Sequence, residues 1–239
     1  MSLSAALLAG PFLGPAVWEP VAVSLHDEFG VTAMVPAPVP AVADPMAILA
    51  ALQETLPAQD DLLLVAHSNA GLYVPALTRA LPVRGVVFVD AVLPPAKGDV
   101  PVAPEGLREL LRGRVDADGL LPPWTNWWPE DDIAHLFPDT ATRKRVEAEQ
   151  RRMPFDYLTA RVELPDGWDR IPAAYLAFGD TYAEELADAQ SRGWPVRTMP
   201  GAHLHMLREP RAVAAEIMRL AGEAGVSPTT SAPVRPPSP

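Results

Sequence analysis

Among the residues of this chain that could carry covalent chemistry, one serine stands apart by its context. The chain contains no cysteine, which excludes thiolate nucleophiles, disulfides and thiolate metal sites. Ser68 lies in Ala66-His67-Ser68-Asn69-Ala70-Gly71, directly after the apolar run Asp61-Leu62-Leu63-Leu64-Val65-Ala66. A strand that passes into a helix through so tight a turn presents the serine hydroxyl at its apex, and the residues two before and two after it must be small. Ala66 and Ala70 meet that demand, although alanine resists φ > 0 where glycine would not. A serine presented this way suits attack on an acyl carbon. It needs a base, because an unassisted hydroxyl is weakly nucleophilic at neutral pH.

The same spacing recurs at Ala189-Gln190-Ser191-Arg192-Gly193, on a polar helical stretch with no strand before it. Context, not pattern, therefore selects Ser68. The alternative role for Ser68 is to cap the helix that follows. The possible bases are His26, His67, His135, His203 and His205. His203 and His205 have the spacing of a metal pair, but no nearby Asp or Glu cluster completes it, so neither a metal nor a cofactor is expected.

The surrounding elements set the geometry. Short apolar runs at 3–9, 31–35, 61–66, 85–90, 173–178 and 195–199 read as six strands, the third too uniformly apolar to have a wet face. Helical patterns separate them: 17–29 closing on Gly30, 45–56 with Asp44 as N-cap, 70–80, 183–192 and 210–221. Strands alternating with helices predict an α/β fold, a mostly parallel, doubly wound sheet covered on both faces.

Between Pro94 and Asp169 the rhythm breaks. That stretch has helical patterns near 105–114 and 140–152 and no clear strand, which predicts a mainly helical cap insertion over 96–169. The core then comprises 1–95 and 170–225. The Pro-, Ser- and Thr-rich tail, 226–239, is expected to be disordered.

Composition narrows the partners. A hydrophobic fraction of 49% supports a sizeable core. A net charge of −11 without a basic run argues against nucleic acid. The apolar opening Met1–Gly10 lacks the positive n-region of a signal peptide, and the fold needs it as a strand. With no stretch of roughly 20 apolar residues, no membrane association is expected, and the chain reads as cytoplasmic.

Four segments, taken in order, resemble the α/β-hydrolase superfamily over nearly all of residues 3–221. Gly10-Pro11-Phe12-Leu13-Gly14-Pro15 with Trp18 is similar to the oxyanion loop after the first strand. Ser68 sits at the nucleophile elbow. Phe88-Val89-Asp90-Ala91-Val92-Leu93-Pro94 resembles the strand end before the cap, and Gly201-Ala202-His203-Leu204-His205-Met206-Leu207 with Pro210 resembles the histidine loop and last helix. The segment order and the stretch Val89-Asp90-Ala91-Val92-Leu93-Pro94 are similar to the esterase and hydroxynitrile-lyase-like branch.

This resemblance implies a core lacking the first hairpin, with Ser68 as nucleophile and His203 as base. It implies Asp180, after the next-to-last strand, as the acid that orients His203, with Asp90 as the alternative because some members supply the acid there. His67 is then structural, and His205 points elsewhere. The oxyanion hole would use the backbone N–H of Asn69 and one from the first loop; Pro11 has none, which leaves Phe12.

Three of the six tryptophans, Trp124, Trp127 and Trp128, fall within five residues of the insertion. They read either as an aromatic wall of the substrate pocket or as anchors of the insertion on the sheet. No motif places an Arg for an anionic substrate. The function implied is hydrolysis of a neutral, fairly apolar ester, lactone or thioester through an acyl-enzyme. The alternatives are acid–base lyase or cyclase chemistry by the same Ser and His, or non-catalytic binding of a small ligand.

Overall fold

The computed structural model describes residues 3–56 and 61–226. Its strands are β1 (Ser4–Leu8), β2 (Thr32–Met34), β3 (Leu62–Ser68), β4 (Val83–Ala91), β5 (Gly98–Pro101), β6 (Arg161–Leu164), β7 (Ala173–Phe178) and β8 (Val196–Met199). Six of them form one sheet in the order β2-β1-β3-β4-β7-β8, every pair parallel. The expectation of about six mostly parallel strands is met, without an antiparallel member. Both faces are covered, so β7 is buried at all six residues and β3 from Leu62 to His67.

The helices are α1 (Glu19–Phe29), α2 (Pro45–Thr55), α3 (Val74–Ala80), α4 (Glu105–Arg112), α5 (Glu130–Ile133), α6 (Thr140–Glu149), α7 (Phe155–Thr159), α8 (Ala183–Ser191), α9 (His205–Arg208) and α10 (Pro210–Glu223). Local chemistry sets their ends. Gly30 takes φ 64 at the end of α1, and Asp44 accepts from the Met46 N–H at 2.9 Å at the start of α2. The helix expected over 70–80 divides instead. A 3₁₀ segment, Asn69–Tyr73, comes first, and α3 begins only at Val74. Pro75 lacks the N–H that would bond the Gly71 carbonyl, so the α pattern cannot extend back to the serine.

The stretch between β4 and β7 departs from expectation. It carries a two-stranded antiparallel ribbon, β5 with β6, pairing Gly98 with Leu164 and Pro101 with Arg161. Each strand has four residues, too few for a period of two to be read, and β5 begins with Gly and ends with Pro. Their pairing spans about sixty residues of chain, which no local pattern records. The Pro-rich tail reading falls on 227–239, outside the described residues. Val226, the first residue of that tail, is buried, and a methyl group on Gly85 would come within 2.4 Å of it. Among the described residues no helix is long and apolar enough to cross a membrane.

Candidate active site

Ser68 ends β3 with φ 58 and ψ −135, a conformation that a non-glycine residue rarely adopts and that the neighbouring packing must enforce. The positive-φ non-glycine residues described are Asp61, Ser68 and Asp90. Ala66 and Ala70 are not among them, so the sharp turn strains only the serine, and alanine suffices on either side. The space behind the turn is narrower than the small-residue pattern suggests. A Cβ on Gly71 would lie 2.0 Å from the Val92 carbonyl oxygen.

The carboxylate beside His203 belongs to Asp90. Its Oδ2 lies 2.7 Å from His203 Nδ1, and His203 Nε2 lies 3.1 Å from Ser68 Oγ. Asp180 is exposed at the turn after β7 and takes no part in this chain of contacts. The expectation that Asp180 faces the imidazole is therefore corrected in favour of its alternative. The cause is a bulge in β4. Its register against β3 runs His67–Val89 and then Ser68–Ala91, which leaves Asp90 over, with φ 44. Such a bulge re-aims the extra side chain.

Asp90 is fully buried, and its charge is satisfied from two sides. Oδ1 accepts the Phe178 N–H at 2.9 Å, while Oδ2 accepts from His203. Tyr175 secures the next residue: its hydroxyl accepts the Ala91 N–H at 3.0 Å and donates to the Ala91 carbonyl at 2.5 Å. With the Asp90 carboxylate accepting at Nδ1–H, the imidazole presents its Nε2 lone pair to the Ser68 hydroxyl. Hydroxyl, imidazole and carboxylate stand in the order that proton abstraction from Ser68 requires.

His67 and His205 support this arrangement from different positions. His67 is fully buried and its Nε2–H donates to the His203 carbonyl at 2.9 Å, with the two rings 4.4 Å apart. Burial first, and then the nearby His203, hold His67 well below the usual histidine range, so it is neutral. His205 packs on the Phe178 ring at 5.3 Å, and its pKa too is lowered, chiefly by burial. His26 is exposed on α1, and His135 lies at the cavity rim.

The first loop reaches the serine through Gly10. A methyl group there would lie 3.1 Å from Ser68 Cβ, 3.3 Å from its Oγ and 3.5 Å from the Asn69 nitrogen. The Leu13 N–H donates to the Gly10 carbonyl at 2.8 Å, closing a turn over Pro11 and Phe12 that does not use the Phe12 N–H. Asn69 opens the 3₁₀ segment, where N–H groups lack intrahelical partners. Its side chain is held independently. Nδ2 donates to the Val102 carbonyl at 2.8 Å, and Oδ1 accepts from the Tyr157 hydroxyl at 2.7 Å, which lies 2.8 Å from that of Tyr73. No sequence signal marked Tyr157. Its partners lie 84 and 88 residues away along the chain.

A cavity of about 510 Å³ opens above Ser68. Phe12, Trp124, Trp127, Trp128, Ile133 and Leu136 supply much of its apolar wall. Trp127 is buried against Phe12, its Nε1–H donating to the Pro122 carbonyl at 2.9 Å, while Trp128 is half-buried. The same rings thus line the cavity and, at Trp127, pack on Phe12 of the loop after β1. The charged side chains at the wall are Asp132 and Glu185, with no Lys or Arg. Desolvation, followed by the nearby charges of Glu184, Asp90 and Asp188, raises the Glu185 pKa above the usual carboxylate value.

Comparison with known proteins agrees with the fold. Residues 4–216 match the model of the alpha/beta hydrolase family. No curated protein matches the chain in sequence. Solved structures share the fold at low identity. One is an extracellular alpha/beta-hydrolase from a Paenibacillus species, described as sharing structural and functional homology with tobacco salicylic acid binding protein 2; it has TM-score 0.73 and 17% identity over 91% of this chain and 98% of that one. Polyneuridine aldehyde esterase gives TM-score 0.66 and 16% identity over 92% of this chain and 100% of its own. A pyrethroid hydrolase gives 0.65 and 15%, over 93% and 98%. From the match along most of its length, the chain belongs to the alpha/beta hydrolase family.

Proposed function

We propose that the protein is a serine esterase that cleaves a neutral, fairly apolar ester, lactone or thioester through an acyl-enzyme. The contact chain Asp90–His203–Ser68, whose serine and histidine line an aromatic cavity, carries this reading. Ser68 Oγ attacks the carbonyl carbon as His203 Nε2 takes its proton. Asp90 holds the imidazole and stabilises its charged form. The N–H groups of Asn69 and Phe12 receive the developing oxyanion. His203 then returns the proton to the leaving group, and water, activated by the same imidazole, releases the acid. The carboxylates Asp132 and Glu185 at the wall disfavour anionic substrates, and Trp124, Trp127 and Trp128 offer apolar contact.

A second reading rests on Pro11, which stands where a backbone donor is expected. The same Ser and His would then move protons in a lyase or cyclase reaction without acylation. A serine-directed fluorophosphonate separates the two when combined with aryl esters of graded acyl length. The esterase reading expects labelling that Ser68→Ala abolishes, together with turnover of the esters. Folded protein that is neither labelled nor active on any ester overturns it, and labelling at Ser68 without turnover favours the second reading.

A further inference from the structure

The loop after β7, where family resemblance put the acid, delivers a phenol to the serine instead. Tyr182 Oη lies 3.5 Å from Ser68 Oγ, and its ring lies 5.7 Å from that of His203. Its backbone is fixed: the Ala183 N–H donates to the Asp180 carbonyl at 3.3 Å, and the Leu186 N–H to the Tyr182 carbonyl at 3.0 Å. Burial raises the phenol pKa further above its ordinary value, so the group stays protonated and acts as a donor rather than a base.

Sheet order tells which reacting atom it faces. β1, whose loop brings Gly10 and Phe12, lies on one side of β3, while β4, β7 and β8 lie on the other. Tyr182 follows β7 and His203 follows β8, so both approach Ser68 from the side opposite the oxyanion loop. The leaving-group oxygen must face His203, because the imidazole returns to it the proton taken from Ser68.

We infer that Tyr182 is a catalytic residue of this site, donating a hydrogen bond from Oη to the leaving-group oxygen of an ester substrate. The inference rests on the esterase reading above. Tyr182 keeps its proton throughout. The Ser68 Oγ–acyl bond forms, the bond from acyl carbon to leaving oxygen breaks, and the proton passes from Ser68 through His203 to the departing alcohol. Donation to that oxygen matters most where the departing oxygen is most basic, which is for alcohols of high pKa.

Tyr182→Phe in the full chain, assayed on 4-nitrophenyl, phenyl, trifluoroethyl and ethyl esters of one acid, tests this. The loss in kcat/KM should be smallest for the 4-nitrophenyl ester and grow with leaving-group pKa, reaching roughly 10- to 100-fold for the ethyl ester, as for a hydrogen bond to a charged group. Tyr182→His, which restores a ring donor, should recover part of the ethyl-ester rate, and fluorophosphonate labelling of Ser68 reports that each variant is folded. An equal loss on all four esters, or none on any, overturns the role while leaving the esterase reading intact. A wild-type protein that is not labelled and turns over no ester overturns both.

Discussion

Asp90 contacts His203 from the end of the strand next to the one that ends in Ser68, at 2.7 Å, through a bulge that turns its side chain toward the imidazole. The carboxylate that would orient the base therefore comes from the middle of the sheet, buried and bonded on both oxygens. The loop after β7 is thereby free to bring Tyr182 to the serine.

Asp90→Asn should keep the shape and remove the acceptor that selects the imidazole tautomer. By analogy with the same change in serine-protease triads, kcat should fall by about 10⁴. Asp180→Asn, at an exposed position, should change activity by no more than about twofold, the range of ordinary surface substitutions. Ester hydrolysis by both variants, with circular dichroism as the folding check, decides the matter. Activity lost in Asp180→Asn and kept in Asp90→Asn would refute the arrangement.

His67 makes stability depend on pH. It is neutral in the folded protein, with its pKa lowered by burial, but in the unfolded chain it binds a proton below about pH 6.5. The unfolded state thus holds more protons as pH falls, and the stability that is complete above pH 6.5 is lost below it. One such histidine contributes a slope of up to about 1.4 kcal/mol per pH unit, and His205, also lowered, adds in the same direction. Urea unfolding from pH 7.5 to 5.0 should show the decline, and His67→Gln, which keeps a neutral donor, should flatten it. An unchanged slope in that variant would show that another group is responsible.

Gly71→Ala should destabilise the protein and disturb the serine together. The added methyl would meet the Val92 carbonyl oxygen at 2.0 Å, and the Val92 N–H bonds the Ser68 carbonyl at 3.1 Å. A loss of about 1–3 kcal/mol is expected, as for other overpacked sites. Gly106→Ala in α4, with open space around it, should be neutral or slightly stabilising. Thermal unfolding of the two variants side by side gives the comparison.

The chain announces its sheet plainly. Short apolar runs such as Leu62–Ala66 and Ala173–Phe178 read as strands, the first too uniformly apolar to have a wet face, and Gly30 and Asp44 mark helix ends by local backbone chemistry. Ser68 is legible for the same reason. A strand, a tight turn and small flanking residues are neighbours in sequence, so their physics is local. His203 stands out from the other four histidines only through the family resemblance of its loop before the last helix. What the sequence could not decide depends on pairing between distant segments. The bulge at Asp90 exists only in the register of β4 against β3, and the β5–β6 ribbon only in the meeting of two short segments. Tyr157 and Tyr182 acquire their positions only when the chain packs around Asn69 and Ser68. A hydrogen bond across a hundred residues leaves no periodicity behind, and so Ser68 was legible in the sequence while the carboxylate that meets His203 was decided by the tertiary structure.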